Sequence, residues 1–181
     1  GIQDAGEFAR QITADLRAVY KDKHLHIRFD PDLENRIRGF TASGKKAPSD
    51  MEKERSQNFF FRRVEILRGN IGYINFTGFA DTNAVSRRTV HATFQFVSNA
   101  DALILDLRNN FGGRAEMAKE IASYFFKERT LTGRSFNRIT NTWTEEWVGG
   151  QSAVTKGLYL DMPVYILTSE RTFSAAEGLA Y

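Results

Sequence analysis

The chain has no cysteine among its 181 residues, which excludes disulfides and thiolate metal sites and leaves the redox compartment undecided. No apolar run approaches the ~18 residues a membrane span needs, and no basic-then-apolar leader opens the chain. The phosphate-loop spacing G-x-x-x-x-G-K-[ST] is missing, and so is any internal repeat. Charge of one sign is scarce as well. The net value is +3, and pairs such as Lys45–Lys46 and Arg62–Arg63 read as solvated surface, so nothing marks a nucleic-acid footprint. What remains is ordinary globular composition, 41% hydrophobic and 26% charged. That suffices for one domain with a sizeable core, or a small domain beside a larger one.

Along the chain, Phe8, Ile12, Leu16 and Val19 fall on one face of a helix predicted from Asp4 to Tyr20. The alternating HLHIRF at 24–29 predicts a strand. Residues 31–57 are polar and charge-rich, a mobile connection with a short helix expected from Ser49. Strands are expected at 59–67 and 71–77 around the turn Arg68-Gly69-Asn70. A helix at 83–98 should bury Val85, Val90, Phe94 and Val97. ADALILDL (100–107) has the near-continuous apolar pattern of a strand buried on both faces. NNFGG and a helix from Arg114 to Phe126 follow, then two strands within 130–148. A second buried strand at 162–168 leads to a helix beginning near Ser174. Two successive strand–turn–helix units predict parallel pairing in an α/β layered core. NNFGG and TSERTFSAAE should then share the carboxyl edge of the sheet, where ligands collect. The division expected is 1–58, a helical portion with its polar connection, and 59–181, an α/β core.

Ser174 has two readings. Ser174-Ala175-Ala176-Glu177 is S-x-x-E, a helix capping box. A serine at a helix N-terminus also sits where the macrodipole favours a developing oxyanion, with the Ala175 N–H as a natural donor. Gly112-Gly113 divides the same way, between a turn needing positive φ and a bare-amide cradle for an anion. Such a serine needs a base. His91 lies within a helix and reads as surface or packing. His24 and His26, two apart on the expected strand, face one side; a metal pair is disfavoured because no third ligand stands at matching spacing. His24, at the end of a helix-to-strand connection, is placed as a base would be.

GNIGYINFTGFA (69–80), ADALILDLRNNFGG (100–113), EIASYFF (120–126) and PVYILTSERTFSAAE (163–177) together resemble the tail-specific, or C-terminal processing, serine peptidases. The branch resembled is the one related to interphotoreceptor retinoid-binding protein and the tricorn core. The resemblance implies a twisted β/α core of the crotonase or Clp-protease kind, with Ser174 as nucleophile and His24 as general base. It implies Gly112 or Gly113, with Ala175, as the oxyanion hole, a peptide or protein substrate, and neither metal nor organic cofactor. The position before the histidine is Lys23 where the tetrad has a serine. Export to the periplasm or beyond is implied; oligomerisation is left open. Relatives continue past this motif, whereas this chain stops at Tyr181 inside a predicted helix. A domain lacking its C-terminal part, slow or inactive as it stands, is therefore expected.

Two rival readings accompany this one. Phe59, Phe60, Phe61, Phe76, Phe79, Trp143 and Trp147 either form core or line a pocket for an apolar ligand such as a retinoid or fatty acid. A catalytically silent scaffold that adds peptides as strands is the other.

Overall fold

The computed structural model describes residues 1–33, 38, 49–150 and 155–181. Most of the polar stretch predicted as a mobile connection, including Lys45 and Lys46, lies outside the described residues. Two compact units divide the chain, Gly1–Pro48 and Ser49–Tyr181. No helix among the described residues is long and apolar enough to cross a membrane.

In the first unit, helix α1 spans Ala5–Val19 and starts on Asp4, whose carboxylate accepts the Glu7 N–H at 2.6 Å. The predicted apolar face does not form a core. Ala9 is the buried residue of this helix, while Phe8 and Val19 are exposed. HLHIRF is not a strand either. It runs extended beside α1, held by side chains instead of a ladder. The Ile27 N–H donates to Thr13 Oγ1 at 2.8 Å, while the hydroxyl donates to the Ala9 carbonyl one turn back at 2.8 Å, with the Ile27 carbonyl 3.2 Å away. Arg17 donates to the carbonyls of Leu25 and Lys23, both at 2.9 Å. An alternating pattern declares an extended backbone; it does not declare what that backbone will bond to.

In the second unit, the short helix α2 (Asp50–Ser56) begins on a complete capping box between Ser49 and Glu52. A 3₁₀ turn at Asn58–Phe60, all three residues at positive φ, leads into β1 (Phe61–Leu67). It displaces the expected start of that strand by two residues. β1 pairs antiparallel with β2 (Ile71–Phe76) across the predicted turn. Helix α3 (Ala84–Phe96) crosses over to β3 (Ala102–Asp106), parallel to β2. Helix α4 (Ala115–Ala122) and the hairpin β4 (Thr130–Asn137)–β5 (Thr142–Val148) intervene before β6 (Val164–Leu167), parallel to β3. Helix α5 (Ala175–Ala180) follows. The main sheet has the order β1-β2-β3-β6, and the hairpin forms a sheet of its own. This is a mixed α/β fold with a parallel centre and an antiparallel edge.

The core lies on one face of the main sheet. Ile74, Phe76, Leu103 and Leu105 alternate inward and meet Val90, Phe94 and Val97 from α3 and Met117 and Ile121 from α4. Phe94 stacks on the buried Tyr124 ring at 4.4 Å. Gly72 lets the end of α3 close on β2, since a Cβ there would stand 3.0 Å from Val97 Cβ. The double burial expected of β3 holds on that face only, Ala102 and Ile104 being half-buried on the other. Of the aromatics offered for a ligand pocket, Phe59, Phe61, Phe76 and Phe79 are core, while Trp143 is exposed on the hairpin. The apolar-carrier reading loses its lining.

Candidate active site

Three loops leave the carboxyl ends of β2, β3 and β6, and backbone hydrogen bonds lace them together. From the β2 loop, the Thr77 carbonyl accepts the Phe111 N–H at 3.0 Å, and the Phe79 N–H donates to the Gly112 carbonyl at 2.8 Å. The Arg114 N–H returns to the Phe79 carbonyl at 3.0 Å. From the β6 loop, the Phe173 N–H donates to the Asn110 carbonyl at 3.1 Å. Thr172 Oγ1 reaches the Leu107 carbonyl at 2.9 Å, and Ser169 Oγ the Arg108 carbonyl. NNFGG and TFSAAE therefore meet at one sheet edge, as the strand order requires.

The meeting point is Gly112 against Ser174. A Cβ on Gly112 would stand 2.6 Å from the Phe173 carbonyl oxygen, 2.7 Å from Ser174 Cβ and 3.2 Å from the Ala175 nitrogen. Only hydrogen fits there, and φ at Gly112 is +88°. Ser174 itself sits at φ 57°, ψ −122°. That is the corner geometry of a turn normally given to glycine, and a serine held in it is strained. Ser174 and Glu177 stand in the reciprocal relation of a capping box. Glu177 accepts the Ser174 N–H at 2.6 Å, and its own N–H goes to the Ser174 carbonyl at 2.9 Å. The capping expectation holds, with the shortest bonds running through the carboxylate and the serine backbone.

The two glycines are not equivalent. Gly112 is buried and donates its N–H to Asn110 Oδ1 at 2.9 Å, so that amide is taken. Gly113 is exposed, at φ +132°, and packs so closely on the Phe79 backbone that a Cβ would lie 2.3 Å from its carbonyl oxygen. Ala175 opens α5, and an N–H at that position has no acceptor within its own helix.

Asn110 was not singled out from the sequence. It is fully buried and ties the three loops by four bonds. Nδ2 donates to the Phe76 carbonyl at 3.1 Å and Oδ1 accepts from Gly112; the backbone N–H goes to Leu107 at 3.0 Å, and the carbonyl accepts from Phe173. Asp106, at the end of β3, is the other buried anchor. Arg108 grips it through Nε at 2.9 Å and Nη2 at 2.7 Å, and the Tyr73 hydroxyl donates at 2.6 Å. The Arg108 hydrogen bonds, with Tyr73 helping, hold its carboxyl at about 2 against the opposing effect of burial.

A cleft of about 570 Å³ opens beside Ala175 between α4, α5 and the hairpin. Ala115, Ala118 and Ala122 from α4, Leu179 from α5 and Val148 from β5 give it an apolar lining, and the Lys119–Glu146 ion pair (3.3 Å) stands at its wall.

His24 belongs to the first unit. Its Nδ1 lies 2.7 Å from Asp22 Oδ1, which also accepts the His24 N–H at 2.8 Å. These bonds, the backbone one first, lower the Asp22 carboxyl pKa. His26 Nδ1 donates to the His24 carbonyl at 3.0 Å. His91 is half-buried with Nδ1 3.3 Å from the Tyr124 hydroxyl, a packing role. Among the described residues no group of three or more His, Cys, Asp or Glu is arranged to hold a metal ion.

The fold recurs in solved peptidase structures. One, a Parabacteroides merdae protein assigned as a peptidase, aligns at TM-score 0.52 and 18% identity over 92% of this chain and 62% of its own. Another, a Bacteroides fragilis protein assigned to the S41 proteases, aligns at TM-score 0.52 and 22% identity, covering 67% and 35%. At these identities the likeness concerns fold. Family membership comes from sequence: the model of peptidase family S41 matches residues 70–181, and the chain belongs to that family. Within the family it is similar to a carboxyl-terminal-processing protease of Synechocystis sp., 34% identical over 112 residues, 61% of this chain and 24% of that protein. The chain thus spans about a quarter of that relative. The family match contains Gly112, Gly113, Ser174 and Ala175, and His24 lies outside it.

Proposed function

We propose that the chain carries the nucleophile and oxyanion hole of a serine peptidase that cleaves peptide bonds by acyl transfer. The observation that carries this reading is Ser174 held at positive φ against Gly112, beside the Ala175 N–H, which has no acceptor within its own helix. Capping alone gives no reason for that strain, because Glu177 and the serine backbone already satisfy the helix start. In the proposed reaction Ser174 Oγ attacks the scissile carbonyl and yields its proton to a base. The carbonyl oxygen gathers charge and is met by the N–H groups of Gly113 and Ala175. Collapse of the tetrahedral intermediate breaks the C–N bond as the base protonates the departing amine, and water then releases the acyl group from Ser174. The amide of Gly112 takes no part, since Asn110 holds it. Peptide side chains beside the scissile bond enter the alanine-lined cleft.

His24 is the base in this reading. Its pairing with Asp22 favours the tautomer with the proton on Nδ1 and the lone pair on Nε2, the arrangement a general base needs. The experiment is active-site labelling with a fluorophosphonate followed by peptide mapping. Modification at Ser174, lost in Ser174→Ala and slowed in His24→Asn, is the expected result. Labelling unaffected by Ser174→Ala refutes the nucleophile; a rate unchanged in His24→Asn moves the base elsewhere.

A further inference from the structure

The β4–β5 hairpin takes no part in the core, and from Arg134 to Glu145 every one of its residues is exposed. Strand alternation sorts its side chains into two faces. Val148 is buried and Glu146 pairs with Lys119 of α4, which marks the face turned to the body. That face continues outward with Thr144 and Thr142 and, across the ladder, Ser135 and Asn137. The opposite face carries Trp147, Glu145 and Trp143 on β5, set against Arg134 and Phe136 on β4. A sheet that buries a core has the reverse order; here hydroxyls turn in and aromatics turn out.

The outward face is a ladder of paired side chains. Arg129 lies over the Trp147 ring at 4.2 Å, Arg134 pairs with Glu145 at 3.1 Å, and the Phe136 and Trp143 rings stand 5.1 Å apart. The aromatic pair is the one nearest the turn. Trp143 is 67% exposed, and Ile139, within the turn, is 97% exposed. The turn is ordered: Asn137 Oδ1 accepts the N–H groups of Ile139 and Thr140 at 2.9 and 3.2 Å, and Asn141 takes φ 54°. A built turn therefore holds an aliphatic side chain out in water, with an indole and a phenyl ring behind it.

Size and charge select the partner. Ile139, Phe136 and Trp143 are three apolar side chains, against the roughly 20 residues a side of a stable protein interface. No acid occurs between Glu128 and Glu145, whereas Arg129, Arg134 and Arg138 fall in that stretch. Arg138 adjoins Ile139 and is exposed. An apolar apex backed by an indole and by cations matches the headgroup layer of an anionic bilayer, where tryptophan settles at the boundary and arginine meets lipid phosphate.

We propose that the β4–β5 hairpin is a membrane-surface anchor, its tip placing Ile139, Phe136 and Trp143 in the headgroup layer of an anionic bilayer with Arg138 on the lipid phosphates. The anchor does not depend on Ser174 being a nucleophile. So small an apolar tip makes the binding reversible and salt-sensitive.

The test is vesicle flotation of the full chain with phosphatidylcholine alone and with about one third phosphatidylglycerol added. Tryptophan emission is read in parallel against vesicles brominated in the acyl chains, with Trp143→Phe separating Trp143 from Trp147. Flotation with the anionic vesicles only, weakened by salt and accompanied by quenching of Trp143, supports the anchor. Arg138→Gln should weaken binding about fivefold, and Ile139→Asp about tenfold or more. Circular dichroism checks that the fold persists in both. Equal flotation with neutral vesicles, none with either, binding without quenching of Trp143, or undiminished binding of Ile139→Asp overturns the proposal. Self-association in sedimentation velocity that Ile139→Asp abolishes overturns it too, and assigns the tip to a second copy of the chain.

Discussion

Ser174 carries the heaviest conformational demand of any residue at the sheet edge. At φ 57°, ψ −122° a side chain costs roughly 1–3 kcal/mol, and glycine would occupy the same corner without strain. Ser174→Gly should therefore stabilise the fold by about 1 kcal/mol in urea unfolding, while Ser174→Ala shows no such gain. A gain of equal size in both variants would place the strain elsewhere. Asn110 makes the opposite prediction. Removing its side chain leaves the buried Gly112 N–H and Phe76 carbonyl without partners, at ~1–3 kcal/mol each. Asn110→Ala should cost about 2–5 kcal/mol, and Asn110→Asp no less at neutral pH, since a buried carboxylate keeps the acceptor for Gly112 but sets a second acceptor against the Phe76 carbonyl. The sequence made Ser174, Ala175 and the glycine pair legible through spacing. It did not separate Gly112 from Gly113, because an amide's partner is decided by the folded loop. Asn110 was missed because an asparagine before Gly-Gly reads as an ordinary turn former.

Among the elements, β2, β3 and α3 could be read from apolar periodicity because each buries a regular face. The HLHIRF segment could not, since alternation looks the same in a ladder and in a chain pinned to a helix by side chains. Thr13 is the pin. Thr13→Val should leave α1 helical by circular dichroism while the Ile27 amide loses hydrogen-exchange protection. Protection retained in that variant would show that the segment is held by other contacts. The α1 apolar stripe was equally legible as a pattern, and its exposure was not, because a helix face does not announce what covers it.

At the scale of the whole molecule, the parallel centre of the sheet places two crossover loops at one edge, and Asp106 with Arg108 anchors that edge. The Asp106 carboxyl is depressed to about 2, below its unfolded value near 4. Its contribution is therefore fully present above pH ~4 and is lost as the pH falls from about 4 through about 2. With the Arg108 partner half exposed, the linked stability is of order 1 kcal/mol. Asp106→Asn should flatten the acid limb of the stability profile in that window; an unchanged limb would remove Asp106 from the cause.

The central claim is that one hydroxyl and two particular amides meet a reacting carbonyl. Nitrogen-15 NMR of the protein carrying a fluorophosphonate or peptidyl boronate adduct tests it most directly. The account predicts that the Gly113 and Ala175 amide signals move together on adduct formation while Gly112, bonded to Asn110, stays in place. An adduct on Ser174 that shifts Gly112 and leaves Gly113 unmoved would contradict it.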